Sequence, residues 1–155
     1  MEFKDKKSEQ VLDRYLQGEK VTGVCYFNGV KSRKPFKITL SLKALGGVKE
    51  TGYSHSIFCK FEDSEARDIF VDFERKAHEM MPKDIGFISM LKEDTLFIKL
   101  GMKDGQYTCT FNPSASALCY GCKIDVEFQP NLWINFEKKT AGLFLKVFNI
   151  NITEN

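Results

Sequence analysis

From Lys123 to Asn151 the chain reads K-I-D-V-E-F-Q-P-N-L-W-I-N-F-E-K-K-T-A-G-L-F-L-K-V-F-N-I-N. Apolar and polar residues alternate with the two-residue period of a half-buried strand, which a helix cannot satisfy. Ile124, Val126 and Phe128 set the first alternation, and Gln129-Pro130-Asn131 reads as a turn. Leu132 to Phe136 is a short aromatic strand around the single tryptophan, Trp133. Glu137 to Gly142 is a second turn, and Leu143 to Ile152 a long apolar strand. A chain obliged to build this segment as sheet must supply partner strands upstream.

It does so. Alternation marks strands over Val21–Phe27 and Phe36–Leu42, and others over Ser54–Phe61, Phe87–Met90, Thr95–Met102 and Gln106–Phe111. Asn28-Gly29 and Asp104-Gly105 are hairpin-type turns. Two helices interrupt the pattern. Ser8 opens a short one, with Val11, Leu12, Tyr15 and Leu16 on one face and Gly18 at the stop. The second spans 63–81: Asp63 or Ser64 caps it, Pro82 ends it, and Ala66, Ile69, Phe70, Phe73, Ala77, Met80 and Met81 recur at helical spacing. The order of elements fits a mainly β fold, a single OB-like Greek-key barrel over residues 1–155 with a loose N-terminus at 1–8, and a β-sandwich is the alternative.

At 155 residues one domain with a real core is expected. The 14 phenylalanines imply a Phe-rich core, a stacking surface, or the lining of an apolar-ligand cavity. No run of 18 apolar residues suggests a membrane span, and no apolar leader follows Met1. Five cysteines in such a chain read as reduced thiols of an intracellular protein, in the cytoplasm or nucleus of a host cell.

Net charge is only +2, but its distribution is uneven. Seven basic and no acidic residues fall between Lys20 and Lys49, whereas Thr51–Asp94 holds six basic and ten acidic ones. Lys31, Arg33, Lys34, Lys37 and Lys43 lie among Phe27, Phe36, Tyr53 and Phe58. A second group is Trp133, Phe136, Lys138 and Lys139. Cations that neutralise phosphates and rings that stack on bases are what a single-strand binder needs. The competing reading makes Phe36, Phe58 and Phe136 core and the lysines a solvated face.

Other chemistry is sparse. Cys119-Tyr-Gly-Cys122 is a C-x-x-C, with Cys109 upstream and a His55/Cys59 pair elsewhere. Plain buried thiols, a zinc site using Cys109, Cys119 and Cys122, and redox chemistry all fit it, with no metal or other cofactor as the expectation. The two histidines, His55 and His78, stand near no catalytic motif, and no enzyme is expected.

The Leu-Trp-Ile-Asn-Phe strand, the turn ending in Gly142 and the Leu-Phe-Leu-Lys-Val-Phe-Asn-Ile strand resemble the closing segment of single-stranded-DNA-binding proteins of bacteriophages and large DNA viruses. The match covers about the last thirty residues. It implies an OB domain that binds single-stranded DNA, or RNA, without sequence preference during replication, recombination or repair. Trp133 and Phe136 would then stack on bases, and Lys138, Lys139 and Lys146 would meet phosphates. Many members of that family end in an acidic recruiting tail, which Ile152-Thr-Glu-Asn does not match. The alternative function is a viral or intracellular β-domain that binds another protein. An exposed sheet edge would also allow homo-oligomers.

Overall fold

A computed structural model describes residues 2–3, 6–28, 37–51, 54–79 and 81–154. It is mainly β. In chain order the elements are β1 (Glu2–Phe3), α1 (Lys6–Leu16), β2 (Val24–Asn28), β3 (Ile38–Ala44), β4 (Lys49–Thr51), β5 (Ser54–Phe61), α2 (Ser64–Glu79), β6 (Gly86–Ile88), β7 (Leu91–Lys92), β8 (Thr95–Leu100), β9 (Met102–Lys103), β10 (Gln106–Tyr107), β11 (Thr110–Asn112), β12 (Lys123–Asn135) and β13 (Thr140–Glu154). The expected β-rich plan with two helices is present. Segment 1–8, expected to be loose, contains β1 and the start of α1, so the helix begins ahead of Ser8.

The opening segment forms two strands, not three. β12 runs unbroken through Gln129-Pro130-Asn131 and pairs with β13 along its whole length, from Lys123↔Glu154 to Asn135↔Thr140. A β-bulge at Glu127/Phe128 shifts the register on the way. The expected turn at Pro130 has a different explanation. On its other side β12 pairs with β3 up to Phe128 and with β2 from Asn131 onward. Gln129 and Pro130 pair with Lys146 and Leu145 of β13, but on the other edge they fall in the gap between β3 and β2, opposite no described strand. A proline, lacking an N–H, costs the ladder least at such a gap.

The main path through the sheet is β1-β2-β12-β3-β5-β8-β7, while β11 and β6 pair in parallel with β13. A barrel needs its two edges to pair with one another. Among the described residues β1 and β7 do not, so the sheet is open and a closed OB barrel is not formed. Short strands with Gly and Asn turns fit open and closed sheets equally, which is why the pattern could not decide between them.

The core lies on the face where Leu40 and Leu42 of β3, Ile57 of β5, Ile98 of β8 and Val126 and Phe128 of β12 point inward, each at most 3% exposed. α2 packs on this face against β5 and β13. Asp63 Oδ1 accepts the Ala66 N–H at 2.8 Å, the side-chain cap expected of it. Ala66, Phe70, Phe73, Glu74 and Ala77 are the buried stripe, and Phe70 meets Phe61 with ring centroids 5.8 Å apart. Met81 is also buried. Ile69, expected inside, is 41% exposed, because the stripe turns past it toward Phe73 and Glu74. The Glu74 carboxylate is held by the Ser89 hydroxyl at 2.7 Å and the Met90 N–H at 2.8 Å, which compensates its burial.

α1 ends as its sequence indicates. Gly18 adopts φ +86°, the Gly18 N–H bonds to the Tyr15 carbonyl and the Glu19 N–H to the Arg14 carbonyl, the paired bonds of a Schellman stop. Among the described residues no helix is long and apolar enough to cross a membrane.

Phe70→Ala should lower unfolding free energy by about 3–5 kcal/mol in urea denaturation. Ile69→Ala should change it by no more than about 0.5 kcal/mol. Comparable losses at both positions would contradict the observed helix orientation.

Candidate functional site

The face of the sheet opposite α2 is where polar chemistry collects, and strand register decides its layout. Lys43 of β3 pairs with Lys60 of β5 on one side and with Lys123 of β12 on the other. Lys60 continues to Thr95 of β8, which pairs with Lys92 of β7. Lysines from four strands thus lie in one row across the sheet, all of them exposed. Neighbouring strands are about 4.8 Å apart. Two unit charges about 5 Å apart in water repel by about 0.8 kcal/mol before salt screening, and like charges directly opposite one another weaken a sheet. Lys123 is relieved by Glu154 at 3.4 Å. Lys43, Lys60 and Lys92 make no ion pair among the described residues. The row therefore offers concentrated positive charge to an anion.

Aromatic rings flank the row. Phe58, two residues from Lys60 on the same face, pairs with Phe97, with ring centroids 5.0 Å apart at 61°. Both are half-buried. Lys49 Nζ sits 5.0 Å from the Phe58 ring centroid. Beyond them, Ser56 lies between Lys49 and Lys99 in register. Its hydroxyl is buried and makes no hydrogen bond among the described residues. On the other side of the row, the 119–122 loop is fastened to β3 through Gly121 N–H to the Ala44 carbonyl, 2.9 Å. That loop carries Tyr120, which is 73% exposed.

Further along β3 and β12 the same face becomes self-satisfied. Ser41 donates to Asp125 at 2.8 Å, Asn149 to Glu127 at 2.9 Å and Asn112 to Asn151 at 2.6 Å. Past this patch stands a smaller cationic island, with Lys37 Nζ 4.3 Å and Lys146 Nζ 5.6 Å from the Phe148 ring centroid. Lys37 is six residues from Lys43, about 20 Å along an extended strand.

Those anticipated residues that are described stand in different parts of the fold. Lys43 stands in the lysine row and Lys37 in the second island. Trp133 belongs to the far end of β12, half-buried, with its ring against Gly142. Phe136 is 3% exposed and packs on Tyr15, with centroids 4.8 Å apart, so it presents no face to a base. Lys138 is exposed in the β12–β13 turn, and Lys139 there pairs with Asp84 at 3.7 Å. Lys31, Arg33, Lys34 and Tyr53 lie outside the described residues. Lys60, Lys92, Lys99, Lys123, Phe97 and Tyr120 were not anticipated. For the lysines and Phe97 the only signal is an outward position in separate strands, which becomes a cluster once register is known, and Tyr120 lies in a loop.

An open cleft of about 680 Å³ lies between the end of α1 and the β12–β13 turn, bounded by Leu16, Lys20, Pro82 and Lys139. The Tyr15 hydroxyl donates to the Asp84 carboxylate there, and Lys139 meets the same group. Tyr15, Asp84 and Lys139 thus engage one another within the cleft. Burial first, then the hydrogen bond and charge of Asp84, push the Tyr15 phenol up to about 12.

Among the described residues no three His, Cys, Asp or Glu side chains converge as metal ligands. His55 leans edge-on toward Tyr107, its centroid 5.6 Å away, and Cys59 is buried on the inner face. Burial pushes the Cys59 thiol up to about 12. Cys109 and Cys122 are likewise buried, but Cys119 is exposed, contrary to the expectation of buried thiols. No family model, curated protein or solved structure matches the chain.

Two outcomes follow. A Cβ on Gly142 would stand 2.9 Å from the Trp133 ring and 3.0 Å from the Ile88 carbonyl oxygen. Gly142→Ala should therefore cost about 1–3 kcal/mol and alter Trp133 emission. In an ultraviolet phenolate titration, one of the five tyrosines should ionise near 12, and Tyr15→Phe should remove that step. Because the folded value is raised, the Tyr15–Asp84 contribution to stability is complete below the ordinary tyrosine value of about 10 and is lost as pH rises through about 12.

Proposed function

We propose that the protein binds single-stranded nucleic acid, without catalysis, across β8, β5, β3 and β12. The observation that carries this reading is the row Lys60–Lys43–Lys123, continued to Lys92, beside the Phe58–Phe97 pair. Phosphates relieve the repulsion within the row, and the counterions released from the polyanion supply salt-dependent affinity. Bases stack on Phe58, Phe97 and the exposed Tyr120, an interaction worth about 1–3 kcal/mol per base in single-strand binders. An open sheet face suffices for this arrangement, since base-stacking sheets in RNA-binding modules are not closed barrels. The contacts are to charge and ring faces, so no sequence preference is expected. Binding of this kind fits protection of single strands in replication, recombination or repair.

This geometry moves the stacking role away from Trp133 and Phe136. Salt dependence would separate the single-strand reading from a protein-binding face. A protein partner would bury the rings without a polyanion's salt dependence.

Labelled oligo-dT, an RNA oligonucleotide of equal length and a duplex should be titrated at two salt concentrations. Single strands should bind more tightly than duplex, with affinity falling steeply as salt rises. Replacing Lys43, Lys60 and Lys123 by Gln should flatten the log-affinity against log-salt slope by about 2, at about 0.7 per lost phosphate contact. Phe58→Ala should weaken binding about tenfold or more, whereas Trp133→Phe should leave it unchanged. Failure to bind any oligonucleotide at low salt would refute the reading.

A further inference from the structure

We propose that Cys119 and Cys122 form a reversible dithiol–disulfide couple, a modification site independent of the nucleic-acid reading. The two sulfurs face each other at 2.9 Å. A disulfide bond is about 2.05 Å long, so about 0.9 Å separates the thiol pair from bonding distance. The backbone already holds them there. The Cys119 N–H donates to Cys122 Sγ at 3.3 Å, and the Cys122 N–H closes the turn on the Cys119 carbonyl at 3.2 Å. Two further bonds clamp the loop around Ala44: Gly121 N–H to the Ala44 carbonyl at 2.9 Å, and Ala44 N–H to the Cys122 carbonyl at 2.8 Å. Closing the bond therefore asks for a small side-chain movement and no rearrangement of the strands.

The two thiols differ in access, which assigns their roles. Cys119 is exposed and Cys122 fully buried. The Cys119 thiolate attacks one sulfur of a low-molecular-weight disulfide such as glutathione disulfide. The sulfur–sulfur bond of the reagent breaks, one glutathione thiolate leaves with the electron pair, and a mixed disulfide remains on Cys119. The Cys122 thiolate then attacks Cys119 Sγ and expels the second glutathione thiolate. Each leaving thiolate takes up one of the two protons released by the cysteines. The protein loses two electrons and two protons, and one glutathione disulfide becomes two glutathione thiols.

The loop leads into β12 and stands at no helix N-terminus, so no helix dipole lowers either thiol. The hydrogen bond to Cys122 instead holds the Cys119 thiol above its ordinary value. The pair consequently responds to an applied oxidant, faster as pH rises, and is not built as a rapid exchange catalyst.

The full chain should be incubated with glutathione disulfide, alkylated, and weighed intact and as the peptide spanning 104–123. The expected product has lost two hydrogens within that peptide, retains three of the five thiols, and regains all five with dithiothreitol. Cys122→Ala should stop at the glutathione adduct on Cys119. Cys119→Ala, a change at an exposed position, should give neither adduct nor disulfide. Five alkylated thiols at every oxidant concentration would overturn the proposal, as would a disulfide that persists in either variant, since Cys109 or another cysteine would then be the partner.

Discussion

The pairing of β12 with β13 is the constraint on which the rest depends. Thirteen residues of β12 find partners in β13, and each strand then offers its free edge to others. β3 and β2 share one edge of β12, while β11 and β6 share one edge of β13. The interior-facing Val126, Phe128, Leu143 and Ile150 make this ladder the floor of the core under α2. A one-residue slip would turn those side chains outward and carry Lys123 inward, so hydrophobic burial and the position of the charged face are set by the same register.

The outer face carries a conflict between stability and charge. Lysines opposite one another on adjacent strands weaken the sheet slightly, yet hydrophobic burial on the inner face, worth about 1.5–3 kcal/mol for each large side chain, outweighs the repulsion. The middle of that face resolves its charges differently. Asp125 and Glu127 each accept a side-chain hydrogen bond from a neighbouring strand. The contrast between a satisfied centre and a cationic end, where Lys43, Lys60 and Lys92 make no ion pair among the described residues, gives the face a direction.

What was legible in the sequence was local. α2 could be placed because Asp63 caps it and a 3.6-residue period runs through Phe70 and Ala77, and β5 was bounded correctly at Ser54 and Phe61. Pro130 misled because proline usually ends a strand. Its tolerance here depends on where β3 stops and β2 begins, which no local pattern reports. The lysine row was illegible for the same reason. Lys43, Lys60 and Lys123 are far apart in the chain, and the acid-rich composition around Lys60 hides it from any count of charge. Closeness in sequence did not reveal the separation of Lys37, just ahead of β3, from Lys43 near its other end.

The partner change along β12 also bears on how the protein is made. β2 and β3 follow one another in sequence, yet neither pairs with the other; both are joined through residues 123–135. During synthesis their edges must wait until the ribosome has produced that segment, and the pairing that closes is long-range and correspondingly slow. The nascent chain therefore carries unsatisfied strand edges for most of its translation, an interval in which chaperones have reason to engage it.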